Sequence, residues 1–401
     1  MTILNAQKNL CNHCSRAEYG LLRPLLRRLD EDKQFLLQLV VIGTHLSREH
    51  GHTIDDIVAD GFDVAAQAQT VFDNATSLDI ARNLTVTTVE VSGILEELKP
   101  DLVVLLGDRY EIFGAAVTAT CLAMPIAHIH GGEITQGAND DAMRHAITKL
   151  SQIHFVAAEQ YARRVIQMGE NPAQVYNVGA LGVENVLKLP FLEKADLERE
   201  LGFHFKDKNI LVTQHPVTLA KDPLADSVQL FEALASFDDI GIIFTQANAD
   251  IYGDKVNEMI KSFVADNPNS IFVPNLGTPR YISAMKHTDV VVGNSSSGII
   301  EAPALGRPTL NIGDRQKGRL ASPSVINCIG NKDAIRTSLT QALNDNGVIK
   351  PNTIFGRGDT SNQIIEALRQ LDYGNLLIKR FYDLDPSAGF GLSSDRKEHQ
   401  K

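Results

Sequence analysis

The chain has 401 residues, 43% of them hydrophobic, enough for two domains of ordinary size. Its formal net charge of −11 argues against a nucleic-acid binder, whose mark is a basic face. Four cysteines make no disulfide framework and no apolar run reaches a membrane span, so a soluble cytoplasmic protein is expected.

In chain order, the first stretch of note is KNLCNHC (8–14). Cys11, His13 and Cys14 look like half a zinc site or a redox pair. No second Cys/His pair stands at suitable spacing, although His45, His50 or His52 could fold near it. Neither metal nor redox chemistry is expected, and two asparagines make the stretch a poor strand. Cys121 and Cys328 lie in apolar segments and read as small core residues.

FLLQLVVIG (35–43) predicts a buried strand and DLVVLLGD (101–108) a clearer one. MPIAHIHGG (124–132), IHFVAA (153–158) and VYNVGA (175–180) follow, with helical stretches between. A second series runs through NILVTQHP (209–216), GIIFTQAN (241–248), SIFVPN (270–275), DVVVGNSSSG (289–298) and PTLNIG (308–313). Continuous Val/Ile/Leu runs alternating with helices predict parallel sheets covered on both faces. The two series predict an α/β protein of two doubly wound, Rossmann-like domains facing a cleft, over 1–185 and 209–355. The charged, proline-bearing stretch 186–208 reads as the linker, and 356–401 as a closing helix and tail.

Ligands of open parallel sheets sit beyond the carboxyl ends of the strands, so the polar residues there are the candidates. Asp108 and Arg109 leave a buried strand, where charge is costly unless satisfied or used; Asp108 could equally cap the following helix. The stretch 128–149 gathers His128, His130, Glu133, Asp140, Asp141, Arg144 and His145, an inventory suited to general acid–base work. Its paired glycines would let the backbone approach a ligand, and Asp141 with Arg144 could be a structural ion pair. His215 ends the first strand of the second series. GNSSSGIIEAPALG (293–306) reads as a phosphate cradle at a helix N-terminus, using Ser295, Ser296 and Gly298. Glu301 follows one turn in, suited to a ribose hydroxyl or simply to the helix dipole. Arg315, Lys317 and Arg319 could neutralise a diphosphate or form a solvated loop. Together these features suggest a nucleoside diphosphate on the second domain, its reactive part turned toward the first.

At these residues the chain resembles the hydrolysing UDP-N-acetylglucosamine 2-epimerases of bacterial sialic-acid pathways. The matching stretches are SRAEYGLLRPLL, GDRYEIF, HIHGGE with DDAMRHAITK, NVGALGVEN, HPVT, GNSSSGIIE and GDRQKGR, in order from residue 15 to about 319. The resemblance implies a glycosyltransferase-B-like fold, a UDP-sugar as partner, a homodimer or homotetramer, and no cofactor. It implies conversion of UDP-N-acetylglucosamine and water to N-acetylmannosamine and UDP, by elimination to a glycal and then hydration. By motif, Asp108, Asp140 and His215 fall at catalytic positions, with Asp141 an alternative to Asp140. Many members have Glu where His130 stands, so His130 or Glu133 takes the proton-transfer role. Arg16, His45, Ser295, Ser296, Glu301 and Arg315 match substrate positions, with Arg109 and Arg144 beside them. The same resemblance leaves open UDP-diacetylbacillosamine as substrate, the non-hydrolysing reaction, and a sugar-nucleotide binder without catalysis.

The family enters SRAEYG from an apolar strand ending in Thr-Gly. Codons for Lys-Asn-Leu-Cys-Asn-His read one base later can spell Lys-Ile-Cys-Val-Ile-Thr, so residues 8–14 read as a local frameshift of such a strand.

Overall fold

The structure, a computed structural model, describes residues 7–13, 16–46, 54–70, 76–136, 138–248, 251–345 and 349–384. The side chains of 7–13, 16, 17, 44 and 45 fall outside that description. The first series builds a seven-stranded parallel sheet from β1 (Gln7–His13), β2 (Phe35–Ile42), β3 (Val64–Ala68), β4 (Leu102–Leu106), β5 (Ile126–Ile129), β6 (Ile153–Val156) and β7 (Val175–Asn177). Their order across the sheet is β3-β2-β1-β4-β5-β6-β7. The second series builds a six-stranded parallel sheet from β8 (Lys208–Thr213), β9 (Ile240–Thr245), β10 (Ser270–Val273), β11 (Val290–Gly293), β12 (Thr309–Ile312) and β13 (Val325–Cys328). Its order is β10-β9-β8-β11-β12-β13. In both, the order reverses beside the first strand, which opens a crevice at the carboxyl ends of β1 and β4, and of β8 and β11.

Every residue of β4, β5, β6, β9, β11 and β12 is buried, as strands covered on both faces require. One face of the first sheet packs on the helix Arg16–Glu31 through Leu22, Leu25, Leu26 and Leu29; the other packs on Tyr110–Cys121 through Ile112, Ala115, Ala116 and Ala119.

Two expectations change here. The polar stretch expected to be a poor strand is β1, at the centre of the sheet. It pairs with β2 from Gln7–Phe35 to His13–Val41, and with β4 from Asn9–Leu102 to Asn12–Leu105. Main-chain hydrogen bonds do not depend on side-chain polarity, and the apolar strands on either side leave one slot between them. A central strand buried on both faces nonetheless favours apolar side chains. Changing residues 9–14 to Ile-Cys-Val-Ile-Thr-Gly is therefore expected to raise the thermal midpoint by about 5 °C or more. Calorimetry on the two proteins checks this, and an unchanged midpoint shows that the polar side chains cost the strand nothing; the frameshift reading itself is removed by codons for residues 8–14 that cannot spell the apolar strand.

The stretch read as linker is mostly second-lobe structure. The helix Lys194–Leu201 buries Leu197 and Leu201, with Phe203 after it, against Leu211 and Ile243. Its apolar residues stand at helical spacing inside a charged sequence, and the charges face solvent. The helix Thr360–Arg369 then returns to the first lobe. Its Ser361 donates to the buried Glu184 carboxylate from both its N–H and its hydroxyl, each at 2.7 Å, and Arg369 pairs with Asp32.

Candidate active site

One cleft takes residues that follow the carboxyl ends of β4 and β5 on one wall, and of β9, β11 and β12 on the other. Carboxylates of Glu18, Asp108, Glu133, Asp140 and Glu301 line it together with guanidinium groups of Arg109, Arg144, Arg315 and Arg319. An adjoining hollow adds His215, Ser295, Ser297 and Tyr281.

The first wall is built on the HIHGGE turn. His130 lies just beyond β5 in the left-handed region, with φ of 67°. A residue other than glycine there costs on the order of 1–3 kcal/mol, which surrounding contacts must hold in place. Those contacts are its N–H to the Phe155 carbonyl at 2.9 Å and Nδ1 to Glu133 Oε1 at 2.6 Å. A Cβ on Gly131 would lie 2.9 Å from Thr148 Oγ1, and one on Gly132 2.6 Å from the Tyr161 carbonyl. The paired glycines thus let the turn approach its own helices, not a ligand as expected. Glu133 is a carboxylate, so the Nδ1 proton lies on His130 and Nε2 carries the lone pair. Nε2 is buried and has no hydrogen-bond partner. Burial, then the charge of Arg319, holds the imidazole pKa down to about 4, so the ring is neutral at pH 7.

Asp108 does not cap the next helix, whose N-cap is Arg109. It pairs with Arg144, which also reaches Thr135 Oγ1 at 2.9 Å and Asp141 Oδ1 at 3.3 Å. Asp141 also accepts the Thr135 N–H at 2.6 Å, so it holds the loop, and Asp140 is the one that lines the cleft. His128 is core: Nε2 bonds the Gly107 carbonyl at 2.7 Å and Nδ1 the Thr148 hydroxyl at 3.1 Å. His145 stays outside the cleft lining, near Asp141.

On the second wall, Ser295 is the N-cap of the helix Ser296–Ala304, and Ser297 meets the Tyr281 hydroxyl. With Arg315 beside it, this N-terminus has the donors and the field for an anion. Gly298 does not line the cleft: a Cβ there would lie 2.7 Å from Thr309 Cγ2, so it allows the helix to seat on β12. His215 is clamped by Asn294, which accepts its N–H and donates to its carbonyl, both at 2.8 Å. Its Nδ1 accepts the Asn248 N–H at 3.1 Å, leaving Nε2 as a donor. Burial, then Arg315, holds it well below the usual histidine range. His215 is therefore a neutral hydrogen-bond donor and a poor general base.

Glu301 reaches across to the helix Leu181–Lys188, its Oε2 buried and unpaired. Burial lifts its pKa to about 7. A Cβ on Gly182 would lie 2.0 Å from Glu301 Oε1. Gly182→Ala is expected to displace this carboxylate and lower kcat/KM at least tenfold with the fold retained, as steady-state kinetics and circular dichroism would show.

Of the expected site residues, the structure thus brings Asp108, Arg109, His130, Glu133, Asp140, Arg144, His215, Ser295, Ser296, Glu301 and Arg315 into one cleft. The side chains of Arg16, His45, Cys11 and Cys14 lie outside the described residues. Reasoning on the sequence passed over Glu18, Asn248 and Tyr281. Glu18 was legible within SRAEYG, as a carboxylate in the first turn of the helix Arg16–Glu31, whereas Tyr281 reaches the site from mid-helix, without a local signal. Among the described residues no helix is long and apolar enough to cross a membrane, and no group of three His, Cys, Asp or Glu is placed to hold a metal.

Fold and cleft define a two-lobed α/β protein whose parallel sheets enclose a highly charged site. The chain belongs to the UDP-N-acetylglucosamine 2-epimerase family, whose model matches residues 27–369. It is 35% identical over 374 residues to the GDP/UDP-N,N'-diacetylbacillosamine 2-epimerase (hydrolyzing) of Campylobacter jejuni, covering 92% of this chain and 97% of that protein. It is 34% identical over 366 residues to the UDP-N,N'-diacetylbacillosamine 2-epimerase (hydrolyzing) of Legionella pneumophila, covering 91% and 96%. The structure of UDP-GlcNAc 2-epimerase from Neisseria meningitidis bound to UDP-GlcNAc shares the fold, with a TM-score of 0.75 at 18% identity over 91% of this chain and 100% of that one.

Proposed function

We propose that the chain is a hydrolysing 2-epimerase that takes UDP-N,N'-diacetylbacillosamine and water to UDP and the free C2-epimeric sugar. The resemblance led with UDP-N-acetylglucosamine. The two bacillosamine epimerases, at 35% and 34% identity over nearly the whole chain, favour its alternative. We further read the two lobes as glycosyltransferase-B-like, since both sheets turn their carboxyl ends to one cleft.

The observation that carries the chemistry is the enclosed imidazole of His130, with a buried Nε2 that has no hydrogen-bond partner and Nδ1 held by Glu133. This choice assigns proton transfer to His130 and leaves Glu133 to orient it. His130 takes the C2 proton as the C1–O bond to UDP breaks, giving a C1=C2 double bond. Water then adds its hydroxyl at C1 while the Asp140 carboxylate, on the opposite face, takes the water's remaining proton and delivers it to C2, and His130 returns its proton to solvent. Arg315 and the N-terminus of Ser296–Ala304 receive the departing diphosphate charge. The Asp108–Arg144 pair fixes the wall between them.

Proton NMR in heavy water with each nucleotide tests the reading. The expected result is UDP and free sugar deuterated at C2, faster from the diacetylbacillosamine nucleotide. Faster turnover of UDP-N-acetylglucosamine overturns the choice of sugar, and a product still bearing UDP overturns hydrolysis.

A further inference from the structure

Arg319 stands in the loop after β12, on the second lobe, yet its guanidinium pairs with Glu133 of the first. The two side chains are 7% and 1% exposed, so the pair is buried at the lobe boundary. Glu133 has no oxygen to spare: Oε2 takes Arg319 and Oε1 takes His130 Nδ1 at 2.6 Å. Arg319 is itself anchored. Its Nη1 donates to Gln316 Oε1 at 2.8 Å, Gln316 Nε2 donates to the Asn294 carbonyl at 2.8 Å, and Asn294 clamps His215. A continuous run of hydrogen bonds therefore joins His215 of one lobe to His130 of the other. Gly318 seats the same loop on the first lobe, where a Cβ would come within 3.2 Å of Gln136 Nε2.

We propose that Arg319 is a positioning residue that makes the proton state of His130 depend on the two lobes being closed. The proposal rests on the reading of His130 as the base. Opening the cleft must separate Arg319 from Glu133, because they ride on different sheets. Glu133 then faces the imidazole as an uncompensated carboxylate, which favours the imidazolium and removes the base. Closure restores the cation and frees Nε2. The other charged groups facing His130 are Glu301 from the helix Ser296–Ala304, Arg144 from Asp140–Leu150 and Asp108 from the end of β4. Of the two cations, Arg144 stays on the first lobe with His130; only Arg319 leaves when the lobes part. This gives Arg319 a role distinct from the diphosphate contact that its basic loop suggested.

The test uses full-length protein with 13C-labelled histidine, the His130 resonance being assigned by its loss in His130→Gln. In Arg319→Gln the resonance is expected to titrate at least one pH unit higher than in the parent, a tenfold gain in proton affinity. The acid limb of kcat/KM moves up in step. Arg319→Lys, which keeps the charge, recovers at least half of the shift. Glu133→Gln added to Arg319→Gln leaves no uncompensated charge and returns His130 to the parent value. An unmoved resonance in Arg319→Gln, or a shift that persists in the double variant, overturns the coupling. A resonance that moves while the acid limb stays put supports the coupling and instead overturns His130 as the base.

Discussion

His130→Ala is expected to lower kcat by about 10²–10⁴, the range for removing a positioned general base, with KM changed little. The residue is held by its main-chain N–H on the Phe155 carbonyl and by its ring Nδ1 on Glu133, and its other ring nitrogen has no hydrogen-bond partner. Its pKa of about 4 keeps it unprotonated throughout the neutral range, so kcat/KM should be flat from pH 6 to 8 with respect to this group. Alanine also relieves the strain at φ 67° only in part, since it too has a Cβ. Steady-state kinetics together with thermal melting separates the two effects: a variant that melts normally and turns over normally leaves His130 outside the chemistry.

The largest effect on stability is expected far from the cleft, at Glu170. This carboxylate, 1% exposed, accepts from His154 Nε2 at 2.9 Å and pairs with Lys149 at 2.5 Å and Lys379 at 2.7 Å. Burial pushes its pKa up, but the hydrogen bonds from His154, Lys149 and Lys379 outweigh it and hold the group down at about 2. Glu170→Ala is expected to cost about 3–5 kcal/mol, the penalty for leaving buried partners of a charge unpaired. Lys149 is partly solvated and contributes the smaller share. A pKa held below its unfolded value stabilises the fold above pH 4.5, and this contribution drains away as pH falls toward 2. Chemical unfolding at pH 7 and pH 3 checks both points, since parent and variant should differ much less at the lower pH.

The consequence reaches the site through one helix. Lys379 donates to the carbonyls of Lys149 and Ser151 at 2.6 and 2.7 Å, closing the C-terminal end of Asp140–Leu150. Arg144 and Asp140 stand on the first turns of that helix. Loss of the Glu170 cluster therefore loosens the support of the first wall, although no member of the cluster touches the cleft.

Ten strands were legible because each is a short, mainly apolar run bounded by polar or turn residues, as in LVVLL and VVVG. β3 was not, because VAAQA is short, small and only half buried at its end of the order. β13 was not, because VINC buries only Val325 and Cys328 at the edge of the second sheet. β1 was read against strand formation, because side-chain preference is a local quantity and the vacancy between β2 and β4 is not.

The sequence by itself determined the parallel sheets and the set of polar residues at their carboxyl ends, because both follow from runs of neighbouring residues. Only the tertiary structure decided what each of those residues does. His128 and His130 are two positions apart, yet one is sealed between Gly107 and Thr148 and the other opens to the cleft. Asp140 and Asp141 are adjacent, yet one lines the cleft and the other holds Thr135. Arg319 and Glu133 meet across 186 positions. Their encounter depends on how two separately folded sheets come together, and no spacing within either segment encodes that distance.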